Sequence, residues 1–146
     1  MKCECDKYLA SLTNVEELRK RASETPEIEK TLDRIEVDSS GWLSVLRCRI
    51  CGTLWAKESL PERYDPPCLY QIKTNNPKLW LQKNESFIQK IYRDYEDKAF
   101  VQTLGDEVGP DQCSHKDCRR KRIKNSVFCK RHHFEMILHR MPSFEI

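Results

Sequence analysis

Apolar residues along this chain change period several times, and each change marks an expected element. Asn14, Val15, Glu16 and Glu17 have the form of a helix start, a cap residue with a carboxylate three positions on. Val15, Leu18 and Ala22 then recur at helical spacing, and Thr25-Pro26 is where that run is expected to end. Residues 31–37 alternate around Ile35 and Val37, followed by a turn signal at Asp38, Ser39, Ser40 and Gly41. Residues 42–47, 53–57 and 68–73 read as further strands, and Asn75-Asn76-Pro77 reads as a break.

Helical spacing returns at residues 86–100, where Phe87, Ile88, Ile91, Tyr92, Tyr95 and Ala99 form one broad stripe. That stripe is expected to pack on the sheet, with a partner-binding face as the alternative. Phe134, Ile137, Leu138 and Met141 give a last helix its own buried face. The pattern therefore predicts an α+β chain with a small antiparallel sheet and a long packed helix. The acidic, turn-rich residues 105–110 look like a joint, which divides the chain into residues 1–104 and 105–146.

Composition makes this core thin. Only 38% of the 146 residues are hydrophobic and mean hydropathy is −0.75, a balance usually supplemented by metal, disulfides or a partner. No apolar run is long enough to span a membrane, and Met1, Lys2, Cys3 and Glu4 do not begin a secretory signal. The expected location is the cytoplasm, where thiols stay reduced and metal bonding is favoured over disulfides.

The eight cysteines fit that expectation. Cys113, Cys118, Cys129 and His132 read C-x4-C-x10-C-x2-H, three thiolates and an imidazole that suit a tetrahedral Zn2+. His133 is the rival fourth ligand. Cys129 and His132 would open the last helix, whose N-terminus favours the thiolate, and Cys113 and Cys118 would come from a preceding hairpin in a treble-clef-like closure. Cys48 and Cys51 form a C-x-x-C knuckle, half of a zinc ribbon, and Cys3 and Cys5 would complete a second Zn2+ site. The C-x-C pair is tight for a knuckle, and Cys68 could replace Cys3. Otherwise Cys68 is a small buried side chain. His115 is expected in a solvated loop and His139 on a helix surface.

Arg119, Arg120, Lys121, Arg122 and Lys124 lie between the second and third C-terminal ligands. Residues 113–133 carry eight Lys or Arg against one Asp, a run that could contact phosphates of a nucleic acid. No aromatic residue interleaves the run to stack on bases. Residues 82–112 carry seven Asp or Glu against four Lys or Arg, so the run could equally answer an acidic neighbour. The spacing differs from that of C2H2 fingers. No phosphate-binding Gly loop, G-x-S-x-G, H-E-x-x-H or deaminase signature occurs, which favours a protein that binds rather than catalyses.

One segment carries a family pattern. Trp42, Leu43, Ser44, Val45, Leu46 and Arg47, then Gly52, Thr53, Leu54 and Trp55, then Pro61, then Pro66, Pro67, Cys68 and Leu69 follow in order. This resembles the immunity protein 27 family of bacterial polymorphic toxin systems, with its W-x-x-L-Y-R, G-x-x-W-E, Pro and P-P-x-L, over roughly residues 42–72. Ala56 stands where that family has Glu, and Cys48 and Cys51 are inserted in the hairpin. The resemblance implies an antidote that binds a cognate toxin and blocks its active site or access to it. Trp55, Trp80, Tyr64 and Tyr70 are then candidate interface anchors, or else core residues. Residues 105–111 would mimic phosphate towards a basic cleft, or else serve as an exposed linker.

Overall fold

The structure is a computed structural model that describes residues 2–8, 11–62, 67–83 and 86–146. Tyr64 and Pro66 lie outside the described residues. By packing, the chain divides into two compact units, Met1–Tyr92 and Arg93–Ile146. The division falls inside a helix rather than at residues 105–110.

In the first unit, helix α1 spans Val15–Ile28. Its cap is the one the spacing predicts: Asn14 Oδ1 accepts the Glu17 N–H at 2.9 Å. The Glu17 carboxylate reaches back one residue further than a capping box requires, accepting the Thr13 N–H at 2.8 Å. The expected end at Thr25-Pro26 is not observed. Pro26 removes a backbone bond and costs up to about 3 kcal/mol in a helix interior. Here only two residues follow it, and burial of Ile28, of order 2 kcal/mol, holds the last turn.

Strands β1 (Leu32–Val37), β2 (Leu43–Cys48), β3 (Leu54–Glu58) and β4 (Cys68–Ile72) form one antiparallel sheet in chain order. The fold is α+β. Both faces of the sheet are buried. Leu43, Val45, Ala56, Cys68 and Tyr70 pack with Val15, Leu18 and Ala22 of α1 in the larger core. Leu32, Leu46, Cys48, Trp55 and Leu69 pack on the opposite face with Cys5 and Ile28 in a smaller one. Each strand serves both cores because successive side chains point to opposite faces.

Helix α2 (Pro77–Lys83) occupies what the sequence suggested was only a break. Asn76 Oδ1 accepts the Leu79 N–H at 3.1 Å and Pro77 takes the first helical position, the pairing of cap and proline that starts helices well. Leu81 is buried in the larger core and Trp80 packs against it.

Helix α3 (Phe87–Gln102) carries the predicted stripe over its first half only: Ile88 and Tyr92 are buried in the larger core. In the second unit Tyr95 and Ala99 are exposed, and the buried residue is Asp97, at 2% exposure. Both carboxylate oxygens of Asp97 accept from the Arg140 guanidinium, Oδ2 from Nη1 at 2.7 Å. Helix α4 (Lys130–Leu138) ends at His139, whose φ of 54° is left-handed and whose N–H donates to the Glu135 carbonyl at 2.9 Å. That turn carries Arg140 to Asp97. It also leaves Met141 outside the helix, and Met141 and Ile137 are exposed, so the expected four-residue face reduces to half-buried Leu138 and buried Phe134, which packs edge-on to Phe100 at 5.9 Å.

Among the described residues no helix is long and apolar enough to cross a membrane.

Candidate metal centres

Two groups of four side chains converge. Cys3, Cys5, Cys48 and Cys51 form one, and Cys113, Cys118, Cys129 and His132 the other; within each, the donor atoms all lie within 4.8 Å of one another. All eight cysteines of the chain are free of disulfides. Either group could hold one metal ion.

The N-terminal group forms where β2 ends. Gly52, at φ +78°, turns the chain after the C-x-x-C pair, and its N–H donates to the Cys48 carbonyl at 3.0 Å. The Cys48 N–H bonds to the Thr53 carbonyl at 2.9 Å, so the knuckle is an extension of the β2–β3 hairpin. Arg49 is tied to β1 through Asp33 at 2.7 Å and to the Lys30 carbonyl at 2.6 Å. Cys5 opens a short 3₁₀ turn, Cys5–Tyr8, and its carbonyl accepts from Gln71 Nε2 at 2.8 Å. The C-x-C pair thus meets the knuckle without forming a second one, with Cys5 at the head of this turn and Cys3 before it.

The four sulfurs sit in unlike surroundings. The Thr53 hydroxyl, 3.0 Å from Cys51 Sγ, and the Thr53 N–H pull Cys51 down to about 6. Burial pushes Cys5 up to about 12. For Cys48, burial is outweighed by the N–H groups of Cys51 and Ile50, and the thiol titrates below its ordinary value. Like charges this close cannot all form unaided, so four thiolates here require a cation. A cleft of about 500 Å³ lined by Cys3, Cys5, Tyr8, Ile28, Arg49 and Ile50 adjoins the group.

Cys68 takes no part. It is fully buried in the larger core, on the other sheet face from Cys48, and burial raises its thiol to about 12.

In the C-terminal group the two candidate histidines separate clearly. His132 Nδ1 lies 3.3 Å from both Cys113 Sγ and Cys129 Sγ, and Cys118 Sγ lies 3.9 Å from Cys129 Sγ. A tetrahedron built on metal–sulfur bonds of about 2.3 Å has edges of about 3.8 Å, so these spacings fit one ion. They are far beyond a disulfide bond of about 2.05 Å. His133 instead faces Ser126 Oγ at 3.0 Å and stacks on Phe100.

The hairpin carrying Cys113 and Cys118 is held by the Cys113 N–H to Arg120 carbonyl bond at 2.8 Å and the Gln112–Lys121 bridge. Asp117 and Asn125 take the left-handed turns that hairpin needs, at φ 64° and 63°, as residues that tolerate the conformation. Cys129 caps α4, yet burial raises its thiol to about 11. The expected helix N-terminal assistance is therefore outweighed by desolvation. Burial also lowers His132, and His115, expected in a solvated loop, stacks face to face on it at 3.8 Å.

The basic run is largely engaged within its own unit. Arg120 pairs with Glu107 at 2.6 Å and donates to the Ile146 carbonyl at 2.7 Å. Arg122 donates to the Gln112 carbonyl at 2.8 Å and Ser114 Oγ at 3.0 Å, and Lys121 to the Pro110 carbonyl at 3.2 Å. Glu107 also accepts the Lys130 N–H at 3.0 Å, capping α4. Glu107 and, at 3.8 Å, Asp111 thus answer Arg120 and Arg122, while Arg119 and Lys124 remain exposed.

Of the candidate anchors, the described ones follow the core alternative. Trp55 and Tyr70 are buried and Trp80 is half-buried against the core. The exposed tryptophan is Trp42, 71% accessible at the β1–β2 hairpin. Only the anchor property of full exposure distinguishes it, and hydrophobicity alone does not report that. Compared with family models, with curated proteins and with solved structures, the chain matches none of them.

Proposed function

We propose that this chain is a non-enzymatic binding protein fastened by two structural Zn2+ ions, acting in the cytoplasm as an immunity protein that neutralises a cognate bacterial toxin. The observation that carries the metal half is the C-terminal group, with three sulfurs and one imidazole nitrogen at tetrahedral spacing. Soft thiolates with imidazole suit zinc, and four protein donors leave no open position for chemistry. On this reading Cys48 and Cys51, closed by Cys3 and Cys5, make a zinc ribbon, and the hairpin with the start of α4 makes a treble-clef-like module. The free cysteines favour a reducing compartment.

The immunity half is supported by the resemblance across residues 42–72 and by the exposure of Trp42, the first residue of that pattern. An exposed tryptophan beside the half-exposed Val37 is the kind of anchor that dominates interfaces. The test is co-expression with the product of a toxin-like gene immediately upstream. Protection and a stable complex are expected, and Trp42→Ala should weaken binding roughly 30-fold or more, the loss of a hot spot. A toxin neither bound nor neutralised by the wild type would sink the reading.

A second reading, an adaptor on nucleic acid, is favoured by the exposure of Arg119 and Lys124. Salt-steep affinity for nucleic acid that is abolished by Arg119→Glu with Lys124→Glu would select it.

A further inference from the structure

Cys48 and Cys51 are set by their own knuckle, whereas Cys5 is held by residues outside its own segment. Two residues of the sheet supply that hold. Trp55 on β3 and Gln71 on β4 are cross-strand partners. Gln71 grips the Cys5 carbonyl at 2.8 Å. Trp55 shares the smaller core with Cys5 and Cys48 and is fully buried. Its indole N–H makes no hydrogen bond of ordinary geometry, a costly state for a buried donor. Its cross-strand partner Gln71 is hydrogen-bonded to Cys5, so the indole and Cys5 are neighbours in the same small core.

We infer that Trp55 is a positioning residue of the N-terminal metal site, its buried indole N–H donating to the Cys5 sulfur when that sulfur is a metal-bound thiolate. A thiol sulfur is a weak acceptor and a thiolate a strong one, so the donor is satisfied in the loaded state and left wanting in the empty one. A hydroxyl stands beside a second sulfur of the group: Thr53 Oγ1 lies 3.0 Å from Cys51 Sγ. Donors beside coordinating sulfurs orient them and tune the ion. The pair Trp55 and Gln71 thereby holds Cys5, one ligand of the C-x-C pair. This role rests on reading the group as a metal site.

The test is Trp55→Phe in the full chain, which keeps a ring and removes the donor. Cobalt(II) is loaded as a spectroscopic probe, and chelator competition is read at both sites, with the C-terminal site as internal control. Expected is a 10- to 100-fold weaker N-terminal site, the loss typical of a removed outer partner, with a shifted thiolate-to-cobalt band and an unchanged C-terminal site. A variant that merely packs worse would melt earlier without moving that band, and this would overturn the role. Should the variant not fold, the indole proton of Trp55 in the wild type is assigned by elimination with Trp42→Phe and Trp80→Phe. It should shift and exchange more slowly on zinc loading, and an unmoved resonance overturns the role. Metal uptake by the wild type with no Trp55→Phe effect sinks this role alone. A wild type that takes up no metal at Cys3, Cys5, Cys48 and Cys51 sinks the metal reading and the role together.

Discussion

Thr25 on α1 accepts the backbone N–H of Leu69 on β4 at 3.3 Å. One turn earlier Arg21 donates to the carbonyl of the same Leu69, also at 3.3 Å. β4 is the last strand of the sheet, and an open edge offers unpaired groups to any passing strand. Two helix side chains therefore do for Leu69 what a fifth strand would do. The other edge is guarded by different means: β1 shifts register between Arg34 and Glu36 and carries Asp33, Arg34 and Glu36.

Thr25→Val keeps the shape of this side chain and leaves the Leu69 N–H buried without an acceptor. A stability loss of about 1–3 kcal/mol is expected, read as a lower urea midpoint at unchanged slope. Thr25→Ser should recover most of it.

Asp97 and Arg140 are the charged pair that closes the second unit. Asp97 is almost wholly buried, so removing Arg140 strands a carboxylate. The Arg140 side chain remains 35% accessible, which discounts the 3–5 kcal/mol of a fully buried pair. Arg140→Met should cost about 2 kcal/mol. It should also loosen the segment after α4, measurable as faster amide exchange there.

Glu58 predicts a pH dependence. Its carboxyl is buried, and burial holds it above the usual carboxylate range although Ser86 Oγ at 2.5 Å and the Tyr70 hydroxyl at 3.1 Å donate to it. A raised folded value means that the folded chain keeps its proton longer than the unfolded chain. Its contribution is thus fully present below about pH 4.3, the unfolded value, and declines as pH rises through the folded one. Glu58→Gln keeps an acceptor and cannot ionise, so the stability curve of that variant should lack the decline.

Metal analysis should return two zinc ions per chain. Cys118→Ser should lower the count to one and reduce protection of α4, since an ion held there would join the hairpin to that helix. Cys51→Ser should remove the other ion and leave α4 protected. A wild-type count of zero would overturn the zinc assignment.

Much of this architecture was legible in the sequence because its signals are local. The cap at Asn14, the alternation in the strands and the ligand spacings each depend on residues a few positions apart. Asn76-Pro77 shows the limit of such signals, since the same dipeptide serves a turn or a helix start, and burial of Leu81 decided which. The stripe through Tyr95 and Ala99 failed for a different reason: periodicity counts apolar residues, and the buried residue there is a carboxylate neutralised from 43 positions away.

The sequence by itself determined which side chains could be ligands and in what groups, because donor chemistry and short spacing are properties of the chain. It favoured His132 over His133 on spacing alone, kept Cys68 as an alternative to Cys3, and left Trp55, Trp80 and Tyr70 as anchors or core. The tertiary structure decided these. Two adjacent histidines on a helix diverge by about 100°, so the packing of His133 on Phe100 selects His132 for the sulfurs. Strand alternation places Cys68 in the larger core and Trp55 in the smaller one beside Cys5. Burial is a long-range property set by what covers a residue, and no local pattern encodes it.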